Sequence, residues 1–384
     1  MYGERMPGVL TSEEAARRLG VKLTTIYAYV SRGLLVSHRS ADGRRSLFDV
    51  AAVESLARRS RPSHRPEGRL ATVATSITEL RAEGPAYRGR PAVEMAASDD
   101  FEAVADLLWQ AEPGHWQAAP IGPPPVESIG DRLRWAAVMS GSSDQLRSDL
   151  RDVAVASAAR RIISTMVASL GDDPTPDSDP IARRLARQLS VDPSTELVDA
   201  VRVALVLLAD HELATSTVSV RMAASTRSDV YDAVLSGLGT VMGPLHGGAS
   251  RQAHLLLEDA GRRGSAAALD DALRWQGLAP GFGHFLYQEP DPRFVALLPF
   301  VERCADRERL AVVESLLALA TERGLPAPNV DFGLAALTFV AGMDAEAGGA
   351  MFKVSRVAGW VAHYLEELAE PPLRYRARAV YVTR

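Results

Sequence analysis

The sequence predicts a mostly α-helical body preceded by a small helix-and-hairpin unit, and three observations carry that expectation. Apolar residues recur at three-to-four spacing through most of the 384-residue chain, β-branched alternation is scarce, and basic charge gathers at one end. Residues 1–70 hold thirteen Lys and Arg against seven Asp and Glu, a net +6, which leaves −11 on the remainder. A basic appendage on an acidic body is a cue for nucleic-acid contact.

Composition narrows the class further. At 47% hydrophobic and 24% charged, the chain is ordinary globular protein, not disordered, collagenous or membrane-embedded, and its length suggests about two to three domains. Weakly charged stretches such as Phe332–Met343 are shorter than the roughly 18 to 20 apolar residues of a membrane span, so no membrane partner is expected. The start, Met1-Tyr2-Gly3-Glu4-Arg5, lacks the apolar core of a secretory signal, and a cytoplasmic location is expected. The single cysteine, Cys304, has no neighbouring His and reads as an idle or buried thiol.

The elements follow in order. Thr11-Ser12-Glu13-Glu14 sets a hydroxyl three residues before a glutamate, the capping-box pattern, and the helix it opens should end at Gly20. A second helix begins near Leu23-Thr24-Thr25, buries Ile26 and Val30, and stops at Gly33. Two short helices joined by a tight turn make a helix-turn-helix. Leu34–Phe48 then reads as two strands around Asp42-Gly43, with Arg39, Arg44 and Arg45 beside the tip, and Val50–Arg59 as a third helix. The Pro/Arg-rich run Arg59–Arg69 is a linker.

This order, with Thr-Thr-Ile-Tyr opening the second helix, resembles the winged helix-turn-helix of mercury-resistance-regulator and excisionase proteins. The resemblance implies duplex DNA as a partner, with Lys22, Thr24, Thr25 and Tyr27 near bases and Arg44 and Arg45 near phosphates. A small module for protein contact is the alternative.

In the body, Val354, Val357, Val361, Tyr364, Leu365 and Leu368 have the spacing of one buried helix face. Pro-rich loops at Glu112–Pro125 and Gly171–Pro180 interrupt the helices. No CxxC, HExxH or Gly-rich phosphate loop in the needed context occurs, so no metal site and no permanently bound cofactor are expected.

Of eight histidines, three stand in unusual settings. His211 follows the apolar run Val201–Leu208 and precedes Thr215-Ser216-Thr217; His246 lies in Gly-Pro-Leu-His-Gly-Gly; His284 lies in Pro-Gly-Phe-Gly-His. Around His246, glycines on both sides let a substrate approach the backbone. His38, His64, His115, His254 and His363 have no such motif and read as structural or exposed.

From about Ile77 to the C-terminus these residues resemble the citrate synthase family. The blocks are Ala209–Ser228, Gly243–Ala249, Pro280–Arg293, Asn329–Asp331, Phe352–His363 and Arg376–Val382, in the family's order, with Ser76–Gly89 resembling its N-terminal segment. The resemblance implies a mostly helical, two-domain protomer in a homodimer: a large domain of residues 70–250 plus 345–384 and a smaller mobile domain of residues 251–344, after a 1–66 winged helix-turn-helix domain. It implies condensation of acetyl-CoA or propionyl-CoA, as co-substrate, with oxaloacetate.

In that reading Asp331 is the base that removes the thioester α-proton; its place at a helix start is expected to favour the ionised carboxylate, and closure to desolvate it. His246 gives a hydrogen bond to the thioester oxygen, and His284 polarises the oxaloacetate carbonyl. Arg293, Arg356 and the partner subunit's Arg376 clamp the carboxylates, with His211 as a further donor. A one-step shift of register would move the Arg376 role to Arg378.

The sequence departs from the family at several places. Phe285 and Gln288 stand where basic residues are usual, Leu334-Ala335 replaces Ser-Gly, and Ser250 replaces Asn. Neutral Gln288 is expected to weaken the grip on CoA phosphates. Two readings follow: a citrate or 2-methylcitrate synthase with a DNA-binding or regulatory module, and, as the alternative, a transcription regulator using the synthase fold as a metabolite sensor.

Overall fold

The computed structural model describes residues 9–19, 21, 23–31, 35–40, 46–50, 53, 72–171, 176–243, 246–375 and 381. By internal contacts the chain divides into two units, Met1–Ala74 and Thr75–Arg384.

The N-terminal unit starts as the capping pattern dictates. The Thr11 N–H donates to Glu14 Oε2 at 2.9 Å and the Glu14 N–H returns to Thr11 Oγ1 at 3.3 Å, opening the helix Ser12–Leu19. It closes with Val21 N–H donating to Ala16 C=O at 3.0 Å, the six-to-one bond of a Schellman end. The second helix is Leu23–Ser31. Strands Ser37–Arg39 and Ser46–Asp49 pair antiparallel with His38 opposite Leu47.

A third strand, Val9–Thr11, pairs with Ser46–Asp49 on its other edge, which the sequence pattern did not predict because three residues are too few to show alternation. Ala15, Ala16, Ile26, Leu35, Phe48 and Val53 form the small core, while Val30, expected inside, is only partly buried at its margin. Val50 and Val53 are helical. The rest of the expected third helix, the Asp42-Gly43 tip and Gly33 lie outside the described residues.

The second unit opens with a meander, Thr78–Arg81, Gly84–Tyr87 and Arg90–Pro91. Its purpose is visible at Tyr87, fully buried, whose hydroxyl lies 3.1 Å from the Val206 and Leu207 carbonyl oxygens and 3.2 Å from that of Asp210. The end of the helix Thr195–Leu208 is thereby fixed beside His211.

The helix Ala347–Leu368 is the axis of this unit. It packs against Phe101–Trp109, Asp152–Ala168, Thr195–Leu208, Thr215–Ser225 and Val230–Val241. The sequence suggested one apolar face, but the helix is buried on every side, including Lys353, Ser355, Arg356, His363 and Glu367. Two features allow this. Small residues let neighbours close in: a Cβ on Gly359 would stand 2.6 Å from the Ala209 carbonyl oxygen, and the Gly359 N–H instead donates to that oxygen at 2.9 Å. The polar residues also find buried partners, as His363 does with Asp210 at 3.3 Å and Arg221 at 2.9 Å.

Helices Ala249–Arg263, Ser265–Gln276, Pro292–Arg303, Arg307–Glu322 and Val330–Val340 pack chiefly on one another. Pro292–Arg303 also crosses Thr195–Leu208, and Val330–Val340 also touches Ala347–Leu368. Cys304 is partly buried, and burial pushes its thiol up to about 11, as suits an unreactive side chain. No helix among the described residues is long and apolar enough to cross a membrane.

Candidate active site

Five segments bring the predicted residues together. His211 stands just beyond the helix Thr195–Leu208, 8% exposed. Its ring meets that of His284 edge-on, with centroids 5.5 Å apart at 88°. Burial, followed by the charges of Arg293 and Arg356, lowers its pKa far below the usual range, so the ring is neutral.

His284 lies on the loop between Ser265–Gln276 and Pro292–Arg303. Its Nδ1 accepts the Leu286 N–H at 3.1 Å, which assigns the ring proton of the neutral imidazole to Nε2. Burial and then Arg293 depress its pKa to about 4. The site thus holds an imidazole that donates from Nε2 without carrying charge.

Arg293 is 3% exposed and begins its helix beside the N-cap Asp291, with Nη2–Oδ2 at 2.7 Å and Nε–Oδ1 at 3.1 Å. Burial pushes Asp291 up, but Arg293 outweighs it and holds the carboxylate below its usual range. Arg356, 1% exposed, enters from the axial helix, donates from Nε to the Leu208 carbonyl at 3.0 Å and lies 4.7 Å from the Phe352 ring.

Asp331 occupies the first turn of Val330–Val340, whose N-cap Asn329 accepts the Asp331 N–H at 2.9 Å. Of the two expected influences, the helix start favouring the ionised carboxylate and desolvation opposing it, desolvation is the larger. Burial dominates and lifts it to about 6, with Arg293 and Arg356 opposing and Asp291 assisting. A helix N-terminus is typically worth about 0.3–1 kcal/mol to an anion, less than the desolvation of a buried carboxylate.

The loop and this helix are strapped together. Gly283 N–H donates to Ala327 C=O at 2.7 Å, Asn329 N–H to Gly281 C=O at 2.9 Å, Asn329 Nδ2 to Gly283 C=O at 2.8 Å, and Asp291 N–H to Pro328 C=O at 3.1 Å. Gly281 has φ +83°, and a Cβ there would stand 2.8 Å from Phe332 Cβ, so glycine is required.

His246 lies three residues before the helix Ala249–Arg263, with Nε2 2.8 Å from Ser216 Oγ. That hydroxyl also accepts the Trp360 N–H at 3.3 Å, and its own proton can go to Nε2, which leaves the imidazole proton on Nδ1. Burial and then Arg356 lower the pKa of His246, again favouring the neutral ring. Phe352 joins the two halves, 6.4 Å from His246 and beneath Arg356.

Three buried site atoms have no hydrogen-bond partner within the protein: His211 Nε2, Arg356 Nη2 and Tyr287 Oη. Such groups are costly unless something polar meets them, so the arrangement suits a small polyanionic ligand. Ser216, Tyr287, Asp291 and Asn329 were not singled out from sequence; only the hydroxyl-rich Thr215-Ser216-Thr217 run hinted at one of them. Among the described residues, no group of three or more His, Cys, Asp or Glu could hold a metal ion.

Comparison with known proteins gives the family. The sequence model described as "Citrate synthase, C-terminal domain" matches residues 129–378, well over half of the chain. The chain belongs to the citrate synthase family. A helix-turn-helix domain model matches residues 9–61. Citrate synthase of Saccharolobus solfataricus is 34% identical over 202 residues, covering 50% of this chain and 53% of that protein; the chain spans about half the length of the first curated relatives it matches. The alignment with 2-methylcitrate synthase of Mycobacterium tuberculosis is longer, 26% identical over 343 residues, covering 77% of this chain and 84% of that one. A citrate synthase from Thermoplasma acidophilum, solved as a ternary complex with carboxymethyl coenzyme A and oxaloacetate, superposes with a TM-score of 0.68 at 22% identity, covering 82% of this chain and 95% of that chain. The likeness fixes the fold of the body.

Arg376 lies outside the described residues, as do Lys22, Arg44 and Arg45. Thr24 and Tyr27 fall on the helix Leu23–Ser31 with side chains outside the description, and Thr25 is partly buried there. Phe285, 84% exposed, and Gln288, also exposed, present no cation on the His284 loop.

Proposed function

We propose that the body joins the methyl carbon of acetyl-CoA, or the corresponding methylene carbon of propionyl-CoA, to the keto carbon of oxaloacetate. Hydrolysis of the thioester then releases citrate or 2-methylcitrate and free CoA. The observation that carries this reading is the convergence of a carboxylate raised to about 6, two neutral donor imidazoles and two buried arginines on one site.

Asp331 takes the α-proton, while His246, in the tautomer protonated on Nδ1, donates to the thioester oxygen as charge develops there. His284 Nε2–H polarises the keto oxygen and supplies its proton to the new alkoxide. Arg293, Arg356, His211 and, from the partner subunit of a homodimer, Arg376 hold the two carboxylates. In this reading residues 251–344 form the smaller mobile domain against 70–250 plus 345–384, and the enzyme works in the cytoplasm. The N-terminal unit is a duplex-DNA-binding module, supported by its charge and its helix-turn-helix order.

The test is thiol release from oxaloacetate with acetyl-CoA or propionyl-CoA, taken to millimolar acyl-CoA because Phe285 and Gln288 offer CoA phosphates no cation. The unmodified protein should release thiol, and Asp331→Ala should cost about 10² to 10⁴ in rate while retaining oxaloacetate binding. No thiol from either acyl-CoA, with oxaloacetate still bound in calorimetry, would overturn the enzyme reading.

A further inference from the structure

Tyr287 has no part in the roles above, yet it packs against two of the site's histidines. Its ring stacks on the His284 imidazole at 4.8 Å and 23° and meets His211 edge-on at 6.2 Å. Its hydroxyl is buried without a hydrogen-bond partner in the protein, a condition shared with His211 Nε2 and Arg356 Nη2. The three atoms come from three separate segments, and in the condensation reading His211 and Arg356 serve the dicarboxylate. Arg293 and Asp291 are its charged neighbours, and burial raises its pKa, so the phenol remains a donor at neutral pH.

We infer that Tyr287 is a further binding residue for the keto-acid dicarboxylate, its hydroxyl donating to the carboxylate that Arg293 clamps. This rests on the condensation reading and adds a donor to its oxaloacetate subsite. The carboxylate is preferred over the keto oxygen for two reasons. His284 Nε2–H is committed to the keto oxygen, and Asp291 already occupies Nε and Nη2 of Arg293, leaving that guanidinium fewer donors for substrate. A neutral donor beside it completes the carboxylate's hydrogen bonds without further charge.

The test compares Tyr287→Phe and Tyr287→Leu in the full chain by oxaloacetate calorimetry, thiol-release kinetics and thermal unfolding. Phe keeps the stack and removes only the donor, so oxaloacetate binding should weaken about tenfold and its KM rise in step, with no fall in Tm. Leu also removes the stack on His284, and kcat should drop as well. If Tyr287→Phe binds oxaloacetate within twofold of an active unmodified protein, the inference alone fails. A fall in Tm that accompanies the lost affinity assigns the hydroxyl to the fold and overturns it too. An unmodified protein that neither binds oxaloacetate nor releases thiol removes the condensation reading and this inference together.

Discussion

Burial lifts Asp331 to about 6 and lowers His284 to about 4, and the two shifts move acid and base apart in a useful direction. At pH 7 the carboxylate is still mostly ionised but more basic than an ordinary aspartate, while the imidazole stays neutral throughout. The acid limb of kcat/KM should therefore centre near pH 6, set by Asp331; a limb centred near 4 in a pH series with oxaloacetate would assign it to His284 instead. The same shift has a consequence for stability, with the opposite sense. The folded pKa of Asp331 exceeds its unfolded value of about 3.9, so its stabilising contribution is full below about pH 4 and is lost as pH rises through about 6. Asn mimics the protonated form. Asp331→Asn should unfold at a higher temperature than the parent at pH 8, with the gap closing by pH 4; a gap of one size at both pH values, measured calorimetrically, contradicts the assignment.

At the scale of elements, the site depends on the strap between the His284 loop and the helix Val330–Val340, and Asn329 is its knot. Its Oδ1 accepts the Asp331 and Phe332 N–H groups and its Nδ2 donates to Gly283 C=O. Asn329→Ala should cost about 1 kcal/mol, within the 0.5–2 kcal/mol typical of a lost N-cap, and should lower kcat because base and imidazole lose their common anchor. Thermal unfolding and thiol release check both parts; lost stability with full activity denies the strap a role in positioning. Sequence made some of these elements legible and concealed others. The Thr11–Glu14 capping box is a local pattern and was readable, and His246, with glycines on both sides, and His284, preceded by Gly281 and Gly283, stood out because few backbones need such flanks. Ser216 belongs to the site through a contact made across thirty residues of chain, which spacing could not disclose, while Asn329 and Tyr287 lie two and three residues from Asp331 and His284 and were passed over because neither carries a charge or an imidazole. The axial helix was read as one-faced because helical periodicity registers its large apolar residues, whereas Gly359, Lys353 and His363 are buried through close approach and polar pairing.

For the whole molecule, charge and C-terminal anchoring each lead to a prediction. With +6 on residues 1–70, full-length protein should retard duplex DNA in gel shifts at low salt, with affinity falling steeply as salt rises. Absence of binding to every genomic fragment at low salt removes that role. The C-terminal segment is tied into the body by a buried polar chain. Glu367, fully buried, accepts from Arg221 Nε at 2.9 Å, Arg374 Nε at 2.6 Å and the Tyr375 hydroxyl at 3.1 Å, while Arg221 reaches His363 at 2.9 Å and His363 reaches Asp210 beside the site. This polar chain anchors the C-terminal residues as far as Tyr375. If Arg376 completes the partner's site, Asp331→Ala and Arg376→Ala homodimers should each be inactive and should complement when mixed. In a heterodimer one site draws its base from the Arg376→Ala subunit and its arginine from the Asp331→Ala subunit, and is intact; the other site lacks both. Random exchange makes half of the dimers mixed, so an equal mixture should recover about a quarter of the unmodified activity. If mass spectrometry shows exchange and activity stays at zero, each site is built within one subunit and the arginine serves elsewhere.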